Sequence, residues 1–197
     1  MMVTRVINSI CVRQLGITLA PFGCRLVLMI SRTSALLAVI AIFGMSLVQA
    51  DDGWVIREDG VGPIKVGMTL PQLNATLHER FSMPRNKDDQ ACFYVKSTQH
   101  AHIAFMIDDG HFSRVDVDAP GIPTTEGIQV GDSEEHARRV YGAQMKVEPQ
   151  KYIDDGHYLT VRSADGRYGI RFETEKGKIQ DFYAGQFDDV QLVEGCL

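Results

Sequence analysis

The feature that most constrains this chain is a ten-residue pattern that occurs twice. Ile64-Lys65-Val66-Gly67-Met68-Thr69-Leu70-Pro71-Gln72-Leu73 returns 64 residues later as Ile128-Gln129-Val130-Gly131-Asp132-Ser133-Glu134-Glu135-His136-Ala137. In each copy a strand-like apolar pair meets a glycine, then a hydroxyl residue suited to cap a helix. Gly67 and Gly131 stand where the backbone needs a positive φ or a close approach. Thr69 and Ser133 can accept hydrogen bonds from the unpaired amides of a first helical turn. A strand-to-helix joint used twice predicts an α+β fold made of two tandem halves, about 51–122 and 123–197. Each half is a helix plus an antiparallel meander, with the helices packed on an antiparallel sheet, and the two form one mature domain over 51–197. The pattern describes construction and names no reaction.

The intervening sequence agrees with that reading. Thr69 and Gln72 have capping-box spacing, Pro71 falls in the first turn, and Leu70, Leu73, Leu77 and Phe81 form one stripe before Pro84. The period then changes to alternation at Phe93 and Val95, at Ile103, Phe105 and Ile107, and at Val115 and Val117, which predicts three strands. Asp108-Asp109-Gly110 supplies the positive φ values of a tight hairpin. In the second half Ser133 precedes a helix with Glu134 and Glu135 at its start. Ala137, Val140 and Tyr141 supply its expected buried side, and Gly142 ends it. Strands are then expected at Lys151–Ile153, Tyr158–Val161, Tyr168–Phe172 and Ile179–Tyr183, with a final edge over Val190–Val193.

Residues 1–50 have a different character. They hold Arg5, Arg13, Arg25 and Arg32 but no acidic residue, and an apolar run from Ala35 to Gly44 is followed by Val48-Gln49-Ala50. This is the pattern of a secretory signal peptide cleaved near Ala50, with translation beginning at Met29, because Met29-Ile30-Ser31-Arg32 leads straight into the apolar run. A spanning helix needs a longer uninterrupted run. Pro21-Phe22 before Gly23-Cys24 is wrong for lipidation, so no stable membrane insertion is expected after cleavage. The mature chain is expected in the periplasm or secreted. Without the four leader arginines, 16 basic residues face 25 acidic ones, a balance of −9. Such a surface repels nucleic acid and suits a basic protein partner. Two cysteines remain, Cys92 and Cys196, and in an exported chain they are expected to form a disulfide.

Chemical motifs are few. His100 and His102 would share the non-core face of a strand and could begin a metal site, but nothing nearby in sequence completes three or four ligands. The acidic pairs Asp108/Asp109 and Asp154/Asp155 sit in turns, where backbone geometry selects Asp. His78-Glu79 does not continue as a zincin, Gly60-Val61-Gly62-Pro63 lacks a phosphate-loop Lys, and no nucleophile elbow occurs. No cofactor and no catalytic constellation are therefore expected. Asn74-Ala75-Thr76 matches a glycosylation acceptor inside the first helix. Tyr158, Tyr168, Arg171 and Tyr183 gather on successive strands as core packing or as an aromatic-Arg interface.

The Val66-Gly67-Met68-Thr69 step, with its short helix and following strands, resembles the modules of the β-lactamase-inhibitory protein family. It also resembles the small lipoprotein of the outer-membrane β-barrel assembly machinery. The second copy departs to Gly131-Asp132-Ser133, no inhibitory residue carries over, and the anchor cysteine is missing. The resemblance implies a helical layer on an antiparallel sheet. The expected function is a periplasmic, non-enzymatic protein-binding module, such as an inhibitor or immunity factor for an envelope hydrolase. The alternatives are a small-ligand or metal-binding protein and an envelope assembly factor.

Overall fold

The structure is a computed structural model, and it describes residues 53–196. The expected signal segment and the start at Met29 lie outside the described residues. The described residues form one compact unit. Among the described residues no helix is long and apolar enough to cross a membrane.

Three short strands, β1 (Ile56–Arg57), β2 (Gly60–Val61) and β3 (Ile64–Lys65), make a small antiparallel sheet. Helix α1 (Leu70–Leu77) follows, then β4 (Cys92–Lys96), β5 (Ile103–Asp108) and β6 (His111–Val117). After α2 (Glu134–Tyr141) come β7 (Met145–Pro149), β8 (His157–Arg162), β9 (Tyr168–Glu175) and β10 (Lys178–Gln186), and a short α3 (Phe187–Val190). The last seven strands form one antiparallel sheet in the order β4-β5-β6-β10-β9-β8-β7. The fold is α+β and dominated by strands.

The two joints dock in matching ways. Gly67 donates its amide to Phe112 O (2.8 Å) at the start of β6, and Gly131 donates to Ile179 O (2.9 Å) at the start of β10. The return bonds are Phe112 N to Met68 O and Ile179 N to Asp132 O. Both glycines hold a left-handed φ, +91° and +92°, which a side chain adopts only with strain. Thr69 and Gln72 form the full capping box, and Ser133 accepts from His136 N.

A second correspondence lies just beyond. The register slips by one residue at Ser113 in β6, where Met106 faces Arg114 but Ile107 faces Phe112. It slips again at Gln180 in β10, where Asp181 faces Glu173 but Ile179 faces Thr174. Each bulge leaves the preceding apolar residue in the core and turns the following charged residue to the other face.

The core lies on one side of the sheet. Phe105, Ile107, Val115, Leu159, Ile170, Phe172 and Phe182 face Leu70, Leu73 and Leu77 of α1 and Ala137 and Tyr141 of α2. Four local expectations are corrected. Phe81 lies past the helix, which ends where His78 turns left-handed, though it still packs on the core. On α2 the buried side includes Glu134, whereas Val140 is 40% exposed. The strand before Tyr158 is β7, and Lys151–Ile153 belong to the loop after it, because Gly156 N bonds Ile153 O and closes a turn there. The Val190–Val193 edge is replaced by α3 and a tail, since Gln191 N and Leu192 N bond back to Asp188 O and Asp189 O. Asn74 is committed to Phe81, accepting its N–H (2.7 Å) and donating to its carbonyl (2.9 Å), so the acceptor motif is a structural contact.

Candidate functional site

The side of the sheet away from α1 and α2 is polar. Residues alternate across a strand, so this face receives Tyr94 and Lys96 of β4, Arg114 and Asp116 of β6, Asp181 and Tyr183 of β10, Arg171 and Glu173 of β9, and Tyr158 and Thr160 of β8. Cross-strand pairing sets Asp116 opposite Tyr183, Tyr183 opposite Arg171, and Arg171 opposite Thr160. Charges and aromatics thus run across the four strands in one row.

Arg114 is the hub and is 2% exposed. Its Nε and Nη2 grip both Asp116 carboxylate oxygens at 2.8 Å, and Nη2 also donates to the Tyr94 hydroxyl at 2.6 Å. The guanidinium lies 4.1 Å from the Tyr183 ring centroid. A buried cation needs such saturation, since an unpaired one costs several kcal/mol. Burial, with Asp116 next in importance, pushes the Tyr94 hydroxyl well above the usual tyrosine range. Burial and then the Glu173 charge do the same to Tyr183.

Tyr94, Lys96, Asp116, Glu173, Asp181 and Tyr183 line a cavity of about 460 Å³. A recess of about 280 Å³ containing His102 shares Lys96, Ala104, Asp116 and Asp118 with it. Glu173 is held by the Tyr183 hydroxyl (2.8 Å) and Gln150 Nε2 (2.6 Å). Asp181 differs. Among the described residues no hydrogen bond reaches its carboxyl, and burial, then the charges of Glu173 and Asp116, push it up to about 7. A carboxyl with such a value takes up and releases its proton near neutral pH. A larger cavity, about 560 Å³, lies beside Glu58, Glu126, Asp165 and Arg167; most of its polar groups are paired, but among the described residues no hydrogen bond reaches the Glu58 carboxyl, which burial and then the Glu126, Asp165 and Asp59 charges raise above the usual range. Asp165 is bonded by Ser163 and Arg167, Arg57 by Asp59, and Glu126 by Tyr141.

The residues expected at a site are redistributed. His100 and His102 lie in the loop before β5 and share no strand face. His100 stacks on Trp54, and His102, with φ +72°, contacts Asp118 at 2.9 Å. No group of three His, Cys, Asp or Glu among the described residues is placed to hold a metal. Tyr158, Arg171 and Tyr183 do share the polar face, but they are 6%, 4% and 4% exposed. Tyr168 shares parity with core-facing Ile170 and lies on the opposite side, so the four make no common open patch. Sequence reasoning missed Arg114 and Asp181. The signal was the three-residue spacing Phe112/Val115 and Ile179/Phe182, where strict alternation would place apolar residues two apart.

Cys92 and Cys196 are joined in a disulfide across 104 residues. The bond brings the tail over the polar face. No protein-family model matches the chain, and no curated protein or solved structure matches it.

Proposed function

We propose that this chain is an exported, non-enzymatic protein-binding module whose partner inserts a basic side chain into the acidic cavity of the polar sheet face. The observation that carries the reading is the Asp181 carboxyl, held without a partner beside Glu173 and Asp116 and raised to about 7. A lysine or arginine entering the cavity would give Asp181 the counter-ion it lacks, and it would do so where water is partly excluded and charge pairing is stronger. The acidic balance of the mature chain favours the same partner by long-range steering. The disulfide agrees with a periplasmic or secreted location reached through the leader. The matched joints and bulges support two tandem helix-plus-meander halves, 51–122 and 123–197. In that duplication Arg114 and Asp181 hold equivalent positions.

Capture from periplasmic extract on immobilised wild-type protein, followed by mass spectrometry, tests the reading. An Asp181→Asn and Glu173→Gln double variant should lose the captured partner, and capture should weaken as salt rises. Undiminished capture by the double variant would exclude the cavity as the docking site.

A further inference from the structure

The tail from Phe187 to Cys196 covers part of the polar face but is poorly anchored by apolar contacts. Val190 is its one fully buried side chain, and Leu192 is 45% exposed. Polar contacts hold the rest. Arg114 Nη1 donates to Asp189 O (2.9 Å) and Leu192 O (2.6 Å). Arg171 donates to the carbonyl (3.5 Å) and side-chain oxygen of Gln191. Tyr152 bonds Glu194, and Lys151 lies 3.8 Å from it. The fit leaves Gln191 Nε2 buried with no hydrogen-bond partner.

Below the tail the two guanidiniums are oriented without it. Asp116 accepts a bidentate pair from one edge of Arg114, and Thr160 accepts from Arg171 Nε at 3.0 Å. Arg171 has no carboxylate within ion-pair distance among the described residues, so its outward donors meet only the tail. A Cβ on Gly169 would stand 2.7 Å from Val161 O of the neighbouring strand and 2.9 Å from the Phe187 ring, so glycine there serves the strand pairing as well as the approach of α3.

The geometry points to a strap: the tail is an internal occupant of a peptide-binding face, and the Cys92–Cys196 bond keeps it there. Both cysteines are half-buried. An exported dithiol reductant opens the bond. Its thiolate attacks one sulfur, the other leaves as a thiolate, and the reductant's second thiol resolves the mixed disulfide. Two electrons and two protons pass to the cysteines, and the reductant becomes a disulfide. The freed face presents Arg114 and Arg171 to main-chain carbonyls of an extended segment, the chemistry that the strap itself offers them. This inference rests on the polar face being the binding surface.

Hydrogen exchange on the full chain tests it, oxidised and after dithiothreitol, with Cys196→Ser as the second case. Protection at residues 187–195 should fall at least tenfold on opening, while β5 and β9 keep theirs. A synthetic peptide of residues 186–195 should then bind the reduced protein and the Cys196→Ser variant, fail to bind the oxidised protein, and bind Arg171→Met more weakly. Unchanged protection in the tail would overturn the strap. Loss of protection throughout the sheet would also overturn it, because the bond would then hold the fold itself. Failure of the peptide to bind an opened protein would overturn the tail's role as the occupant of a peptide site, without touching the acidic cavity at Asp181. None of these results alters capture of a basic partner by the oxidised form, so the two proposals fail separately.

Discussion

Replacing Asp181 with Asn removes a carboxylate that the folded state tolerates badly and keeps its shape. The folded value, about 7, stands some three units above the ordinary 3.8. At ~1.36 kcal/mol per unit the differential reaches ~4 kcal/mol, and water at the cavity mouth brings it to the order of 2 kcal/mol. The sign follows from proton linkage. Below pH ~4 both states hold the proton and the group has no effect. Between ~4 and ~7 the unfolded chain has released the proton while the folded chain retains it, so stability falls as pH rises, and above ~7 the loss is complete. Urea titration of wild type and Asp181→Asn, disulfide intact, at pH 4, 5.5, 7 and 8 measures the difference directly and cancels the other carboxylates. The variant should match wild type at pH 4 and exceed it by on the order of 2 kcal/mol at pH 8. A difference that does not change with pH, or a variant less stable than wild type at pH 8, would refute the reasoning. A carboxylate kept at such a cost fits a group retained for binding.

Four further outcomes follow from the geometry. Thr69→Ala and Ser133→Ala should each lower stability by ~1 kcal/mol, and the losses should add in the double variant because the two caps share no partner. Gly67→Ala and Gly131→Ala meet no atom within 4 Å, so their cost should be backbone strain alone, ~1–2 kcal/mol at each site. Gly185→Ala brings a Cβ within 2.1 Å of Ser113 O and should cost more than either in thermal melts. Arg114→Met strands Asp116 and two tail carbonyls and should destabilise by ~3–5 kcal/mol in denaturant titration.

Much of the construction could be read from local chemistry. Thr69, Gln72, Pro71 and Gly142 act at helix ends through residues at most four positions away, and Asp109-Gly110 turns the chain between the paired Asp108 and His111, so the rules for caps and turns suffice. The same holds for β4, β5 and β9, where strict alternation needs no distant partner. The candidate site was far less legible. Lys151–Ile153 carries strand-forming residues, yet the ladder chose Met145–Pro149, because pairing with β8 decides which extended segment becomes a strand. His100 and His102 left their expected strand because it begins only at Ile103, where pairing with Val117 starts.

By itself the sequence determined the doubled joint, the helix caps, the hairpin turns and an even pair of cysteines beyond residue 50, since each is a local or compositional property. Only the tertiary structure decided that bulges at Ser113 and Gln180 turn Arg114 and Asp181 to one face, and that the tail closes over Arg114 and Arg171. Those outcomes depend on register and on contacts up to 104 residues apart, as between Arg114 and Leu192 (78 residues) and between Cys92 and Cys196 (104 residues). Burial and the proton affinity of Asp181 come from neighbours that no local window contains.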